Sequence, residues 1–109
     1  MKILPDENID VRMKLRFPPG TEVYTVKDMD WNGIKNGELI QLLFQNNFDY
    51  WIVVDKNIPF QQNTKTIPFT IIVLDVYRNT LKSIEALIPK ISVILNNPSS
   101  DKVIVINEQ

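Results

Sequence analysis

Acidic side chains gather where apolar runs of this sequence end. Asp6, Glu7 and Asn8 follow Lys2-Ile3-Leu4-Pro5; Asp55, Lys56 and Asn57 follow the run Tyr50 to Val54; Asp75 closes the run Phe69 to Leu74. Glu38 stands just beyond Gly33 and Gly37. The 109 residues include no histidine and no cysteine, which excludes thiolate nucleophiles, zinc fingers, His-ligated metals and imidazole dyads or triads. Carboxylate, hydroxyl, amide and amine chemistry remains. Three or four carboxylates brought together without basic partners repel one another, and such a cluster persists only around a cation. Oxygen-only ligands suit Mg²⁺ or Mn²⁺, not zinc. Either ion activates water and stabilises charge on a phosphodiester with no need of histidine or cysteine. Asp6, Glu38 and Asp55 are the expected metal ligands, and Lys56, beside Asp55, is placed to contact phosphate.

Each of these residues also has an ordinary structural use. An Asp after a strand caps the next helix or makes an Asx turn, which applies to Asp6 and Asp55. Glu38 serves equally as a first-turn helix stabiliser, and Glu7 as an exposed neighbour. Asp75-Val76-Tyr77-Arg78 reads as a turn in which Asp75 pairs with Arg78. Lys56 has the alternative of a plain surface lysine. Trp31, in a loop, either stacks on a base or anchors a lid; Trp51, in an apolar run, reads as core. Phe60-Gln61-Gln62-Asn63 would line a polar groove, and no glycine-rich phosphate loop exists.

The elements that must position these groups follow from pattern. Lys2-Ile3-Leu4 predicts an opening strand, and Thr21 to Val26, alternating and β-branched, a second. Ile9, Val11, Met13, Leu15 and Phe17 alternate but also suit a short helix, so periodicity leaves that segment open. Pro18-Pro19-Gly20 stops it. A helix is expected with Asn36 as N-cap, Glu38 in its first turn and Leu39, Ile40, Leu42, Leu43 and Phe44 on its buried side, ending at Asn46-Asn47. Tyr50 to Val54 and Phe69 to Leu74 are continuous apolar runs, the mark of parallel strands covered on both faces. Pro59 opens one short helical turn. A last helix from Thr80 to about Leu95 should kink at Pro89, and Lys102 to Ile106 closes as a fifth strand.

This alternation predicts one domain over residues 1–109, a three-layer α/β/α sandwich on a mostly parallel, about five-stranded sheet with right-handed crossovers. Ligands of such folds bind beyond the carboxyl ends of the strands. A net charge of −1 argues against wrapping long duplex DNA, which needs an excess of cations. No apolar run reaches the roughly 20 residues needed to span a bilayer, and the opening run is too short for a signal peptide. A cytoplasmic protein without membrane association is expected.

The order of these pieces resembles a known group. Met1-Lys2-Ile3-Leu4-Pro5-Asp6-Glu7-Asn8, then Trp31-Asn32-Gly33 with Asn36-Gly37-Glu38-Leu39, then Val53-Val54-Asp55-Lys56-Asn57 resemble the small bacterial PIN-like proteins. That group is a domain family of unknown function related to PIN-domain ribonucleases and to a Mut7-like C-terminal domain. The resemblance covers nearly the whole chain, including Gln61-Gln62-Asn63 and the closing apolar helix. It implies a Mg²⁺- or Mn²⁺-dependent ribonuclease site in which Asp6, Glu38, Asp55 and Asn57 take the catalytic places, with Lys56 and Asn8 toward substrate. It further implies RNA as substrate, an antitoxin protein as partner in a toxin–antitoxin pair, and a homodimer. The chain is shorter than a usual PIN domain and carries an amide, Asn57, at the last acidic place unless Asp75 substitutes. The alternatives are a catalytically silent PIN-like module that docks a partner protein through its apolar final helix, and hydrolysis of a small nucleotide at the same carboxylates.

Overall fold

The computed structural model describes residues 1–61 and 64–108. Five strands form one sheet: β1 (Lys2–Pro5), β2 (Glu22–Val23), β3 (Tyr50–Val53), β4 (Thr70–Asp75) and β5 (Val103–Asn107). Every pair is parallel, in the order β2-β1-β3-β4-β5. Register places Leu4 beside Trp51 and Trp51 beside Ile71. The chain is thus a parallel α/β domain of three layers.

Strand alternation sorts the core into two halves. On one face Ile3, Ile52, Ile72, Leu74 and Ile106 pack against Met13 and Phe17 and against Ile84, Leu87 and Ile91. These come from a 3₁₀ segment, Val11–Arg16, and from helices α3 (Leu81–Glu85) and α4 (Ile88–Asn96). On the other face Leu4, Trp51, Val53, Ile71 and Val73 meet Leu39 and Leu43 of helix α1 (Asn36–Gln45), together with Trp31 and Phe48. Both middle strands are wholly or nearly buried because helical layers cover both faces, which is why they read as unbroken apolar runs. Among the described residues no helix is long and apolar enough to cross a membrane.

Local chemistry sets the helix boundaries, in places against expectation. Asn36 is the first helical residue of α1; the N-cap is Lys35, whose side chain makes no capping bond. Phe44, expected on the buried side of α1, is exposed. At the other end Asn47 takes a left-handed conformation (φ 60°), the Phe48 N–H donates to Leu43 O at 3.0 Å and the Asn47 N–H to Phe44 O at 3.2 Å. That is a Schellman stop, with Phe48 and Leu43 joined in the same apolar cluster. The 9–17 segment resolves as 3₁₀: Ile9, Met13 and Phe17, four apart, are buried, while Val11 and Leu15 are exposed. Residues 21–26 contribute only two to a strand. The expected last helix is two, since Thr80 caps α3 through Ser83 N–H at 3.1 Å and Pro89 lies in the first turn of α4 instead of at a mid-helix kink.

The crossovers also depart from the rule. The β1-to-β2 and β4-to-β5 connections cover the same face yet travel toward opposite edges of the sheet. They are therefore of opposite hand, and one of them is the uncommon left-handed kind.

Candidate functional site

Asp6 and Asp55 leave neighbouring strands at one edge. Asp6 directly follows β1 and its N–H donates to Ile52 O of β3 at 2.9 Å; Asp55 lies two residues past β3. The connection after β1 covers one face of the sheet and the connection after β3 the other, so this is the point where parallel sheets open a crevice. A narrow cleft opens on the β2 side of Asp6, lined by Pro5, Asp6, Glu7, Asp10, Lys14, Thr25, Lys27 and Asn32; Asp55 is not part of its lining.

Asp6 is the only buried acid among the described residues, 7% exposed. Burial pushes its carboxyl above the ordinary Asp value; the Glu7 N–H and Trp51 oppose that, while the charges of Glu7 and Asp55 add to it. No lysine or arginine of the described residues pairs with it. Its one side-chain hydrogen bond is long, from Asn8 Nδ2 to Oδ2 at 3.5 Å. Asp55 is half-buried, and its Oδ1 accepts the Asn57 N–H at 2.9 Å, an Asx turn that opens the short helix α2 (Ile58–Gln61). Asn57 therefore touches Asp55 through its backbone, and its side chain is exposed.

The other predicted residues lie as follows. Glu38 is exposed in the first turn of α1. Among the described residues no group of three acids is close enough to share one metal ion. Lys56 Nζ pairs with Asp75 Oδ1 at 2.9 Å, so the partner of Asp75 is Lys56 and not Arg78. That pair borders a second, open groove with Tyr77, Asn107 and Glu108. Asn8 is exposed and its carbonyl accepts Asn79 Nδ2 at 2.6 Å, tying the loop after β4 to the edge. Glu7 Oε2 accepts the Gly33 N–H at 3.4 Å and ties on the loop before α1. Trp31 is buried against Phe48, ring centroids 5.8 Å apart, and offers no stacking face. Of the proposed polar groove, Gln62 and Asn63 lie outside the described residues.

Reading the sequence alone treats Trp51 as core and misses its polar end. The indole Nε1, fully buried, is the one buried side-chain polar atom of the described residues without a hydrogen-bond partner. The missed signal is general: a Trp in the middle of a buried strand brings an N–H that needs an acceptor.

The arrangement is a switch-point edge in a parallel α/β domain: a buried carboxylate beside a cleft that also carries Lys14 and Lys27, and a second, half-buried carboxylate beyond the neighbouring strand. No protein-family model, no curated protein and no solved structure matches the chain.

Proposed function

We propose that this chain is a Mg²⁺- or Mn²⁺-dependent phosphodiester hydrolase, an endoribonuclease of PIN type, with its site at the carboxyl ends of β1 and β3. One observation carries the reading: Asp6 is buried beside two other negative charges, and no lysine or arginine of the described residues pairs with it. A buried, uncompensated carboxylate is costly, and a bound cation removes the cost. The donor set fits such an ion, because Mg²⁺ keeps most of its waters and takes one or two carboxylates plus substrate phosphate. Asp6 and Asp55 would hold it; Glu38, exposed in the first turn of α1, forms no three-acid group with them. When bound, the ion supplies an activated water and charge neutralisation at the scissile phosphate. Asn57 fixes the Asp55 loop, Asn8 orients Asp6, and Lys56, exposed at the rim, meets the RNA backbone. On the same reading an antitoxin protein and a second copy of the chain are its partners, and the cytoplasm its compartment.

Calorimetric titration of Mn²⁺ and cleavage of single-stranded RNA test this directly. Wild type should bind the ion and cut, and Asp6→Asn and Asp55→Asn should do neither while remaining folded. Lys56→Ala should raise KM with little change in ion affinity. A wild type that takes up no Mn²⁺ and cuts no RNA leaves the silent partner-binding module. The final helix gives that module little surface: α4 buries Ile91 and Leu95 and leaves Val93 as its one exposed large apolar side chain.

A further inference from the structure

Two under-satisfied polar groups occur on one face of the sheet, one strand apart. Trp51 lies beside Leu4 in the β1–β3 register, and both side chains belong to the apolar cluster under α1. Asp6 is two residues beyond Leu4, so alternation puts its carboxylate on the same face, above the indole. Trp51 is fully buried and its Nε1–H has no acceptor. Asp6 is nearly as buried and has a single long side-chain donor, Asn8 at 3.5 Å. A buried N–H left unpaired costs about 1–3 kcal/mol, and a buried carboxylate short of donors costs more. Each group is the natural remedy for the other, and Trp51 is already close enough to favour the ionised form of Asp6.

We propose that Trp51 is a positioning residue for Asp6: its indole N–H takes the inner carboxylate oxygen and leaves the outer one facing the crevice. The inference rests on the cation reading above for its purpose. Groups that hold a ligand's far side orient it and raise its basicity, and removing them commonly weakens metal binding about 10- to 100-fold. Tryptophan suits this place because one side chain supplies the apolar packing that β3 needs and a donor that cannot accept.

The chain has two tryptophans and hence two indole N–H resonances, which Trp51→Phe assigns. In metal-free protein the Trp51 indole proton should move upfield, and exchange faster with solvent, in Asp6→Asn than in wild type. Added Mg²⁺ should shift that resonance in wild type and not in Asp6→Asn. Trp51→Phe should bind Mn²⁺ about 10- to 100-fold more weakly, and Trp31→Phe, changed by the same atoms elsewhere in the core, should bind it as wild type does. An indole resonance indifferent to Asp6→Asn overturns the pairing without any use of metal, so it also decides the matter if Trp51→Phe does not fold. Pairing with undiminished Mn²⁺ affinity in Trp51→Phe overturns the positioning role. If wild type binds no cation while the resonance responds to Asp6→Asn, the hydrolase falls and the positioning of a metal ligand falls with it.

Discussion

Removing the charge of Asp6 should stabilise the metal-free protein. Register sets Asp6 opposite Val53, two residues short of Asp55, which puts the two charges about 8 Å apart, a repulsion of about 2 kcal/mol at an effective dielectric of about 20. Salt and the partial exposure of Asp55 reduce this to about 1 kcal/mol. Asp6→Asn relieves that repulsion and the burial cost while keeping the shape of the side chain. In EDTA at pH 7 its Tm should therefore rise by about 4 °C or more. The pH dependence has a definite sign. Because burial first, and Glu7 and Asp55 after it, raise the folded-state pKa, the unfolded chain gives up the Asp6 proton at lower pH than the folded one. The cost is absent below the unfolded-state pKa, near the ordinary 3.8, grows as pH rises, and is complete above the raised folded-state value. The two proteins should accordingly converge in stability toward pH 3.8 and separate above it. Mn²⁺ should invert the order: at 100 times its Kd an ion stabilises wild type by about 2.7 kcal/mol, and Asp6→Asn gains little. Differential scanning calorimetry with and without Mn²⁺ reads all of this. A Tm lowered by Asp6→Asn in EDTA would refute the reasoning and make Asp6 a plain turn residue, supporting the loop in which Ile9 N–H donates to Asp6 O.

Elsewhere the exposed Asp10 carboxylate, bound first by the Arg12 side chain and then by the Arg12 N–H, is held down to about 2. Carbon-detected NMR should show it titrating there, and its contribution to stability should be present above pH 3.8 and fade as the pH falls toward 2. Arg12→Ala should return it toward the usual carboxylate range. Lys35→Ser supplies the capping oxygen that α1 lacks and should stabilise the fold by about 1 kcal/mol in urea unfolding. Leu43→Ala, at a fully buried position between α1 and the sheet, should cost about 2–5 kcal/mol, and Leu15→Ala, 87% exposed, under about 0.5 kcal/mol.

What the sequence disclosed depended on how local each signal was. The runs at Tyr50 and Phe69 could only be doubly covered strands, and the neighbours they implied are present. Pro59 marks the opening of α2 through its fixed backbone and Thr80 that of α3 through its side-chain hydroxyl. The Asn36 cap, by contrast, depends on one dihedral, and Lys35 holds it. Ile9 to Phe17 satisfies two periods at once, and only the four-residue spacing of Ile9, Met13 and Phe17 against α3 decides between them. Site residues followed the same division. Asp6 and Asp55 are fixed to the edge by strand ends, so adjacency in the sheet was enough to bring them together. Glu38 follows the long loop from Tyr24 to Lys35, whose path no local pattern encodes, and it stands exposed in the first turn of α1 without joining a three-acid group. The Lys56–Asp75 pair links two strand ends whose neighbourhood appears only in the sheet order. Trp51 shows a different limit: apolar pattern counts a tryptophan as one hydrophobic unit and has no place for its donor.

Every rung of this sheet is parallel, so no hairpin can start it. β1 must be clasped on its longer side by β3, which begins at Tyr50. At about 5–20 residues per second of synthesis, Ile3 and Leu4 await that partner for roughly 2–10 s, sticky and unprotected. The brevity of the stretch and the polar Asp6-Glu7-Asn8 directly behind it limit the hazard of that interval, because charge next to a greasy segment discourages self-association. Asp6, a proposed ion ligand, would thus help guard the newborn chain before it ever meets an ion.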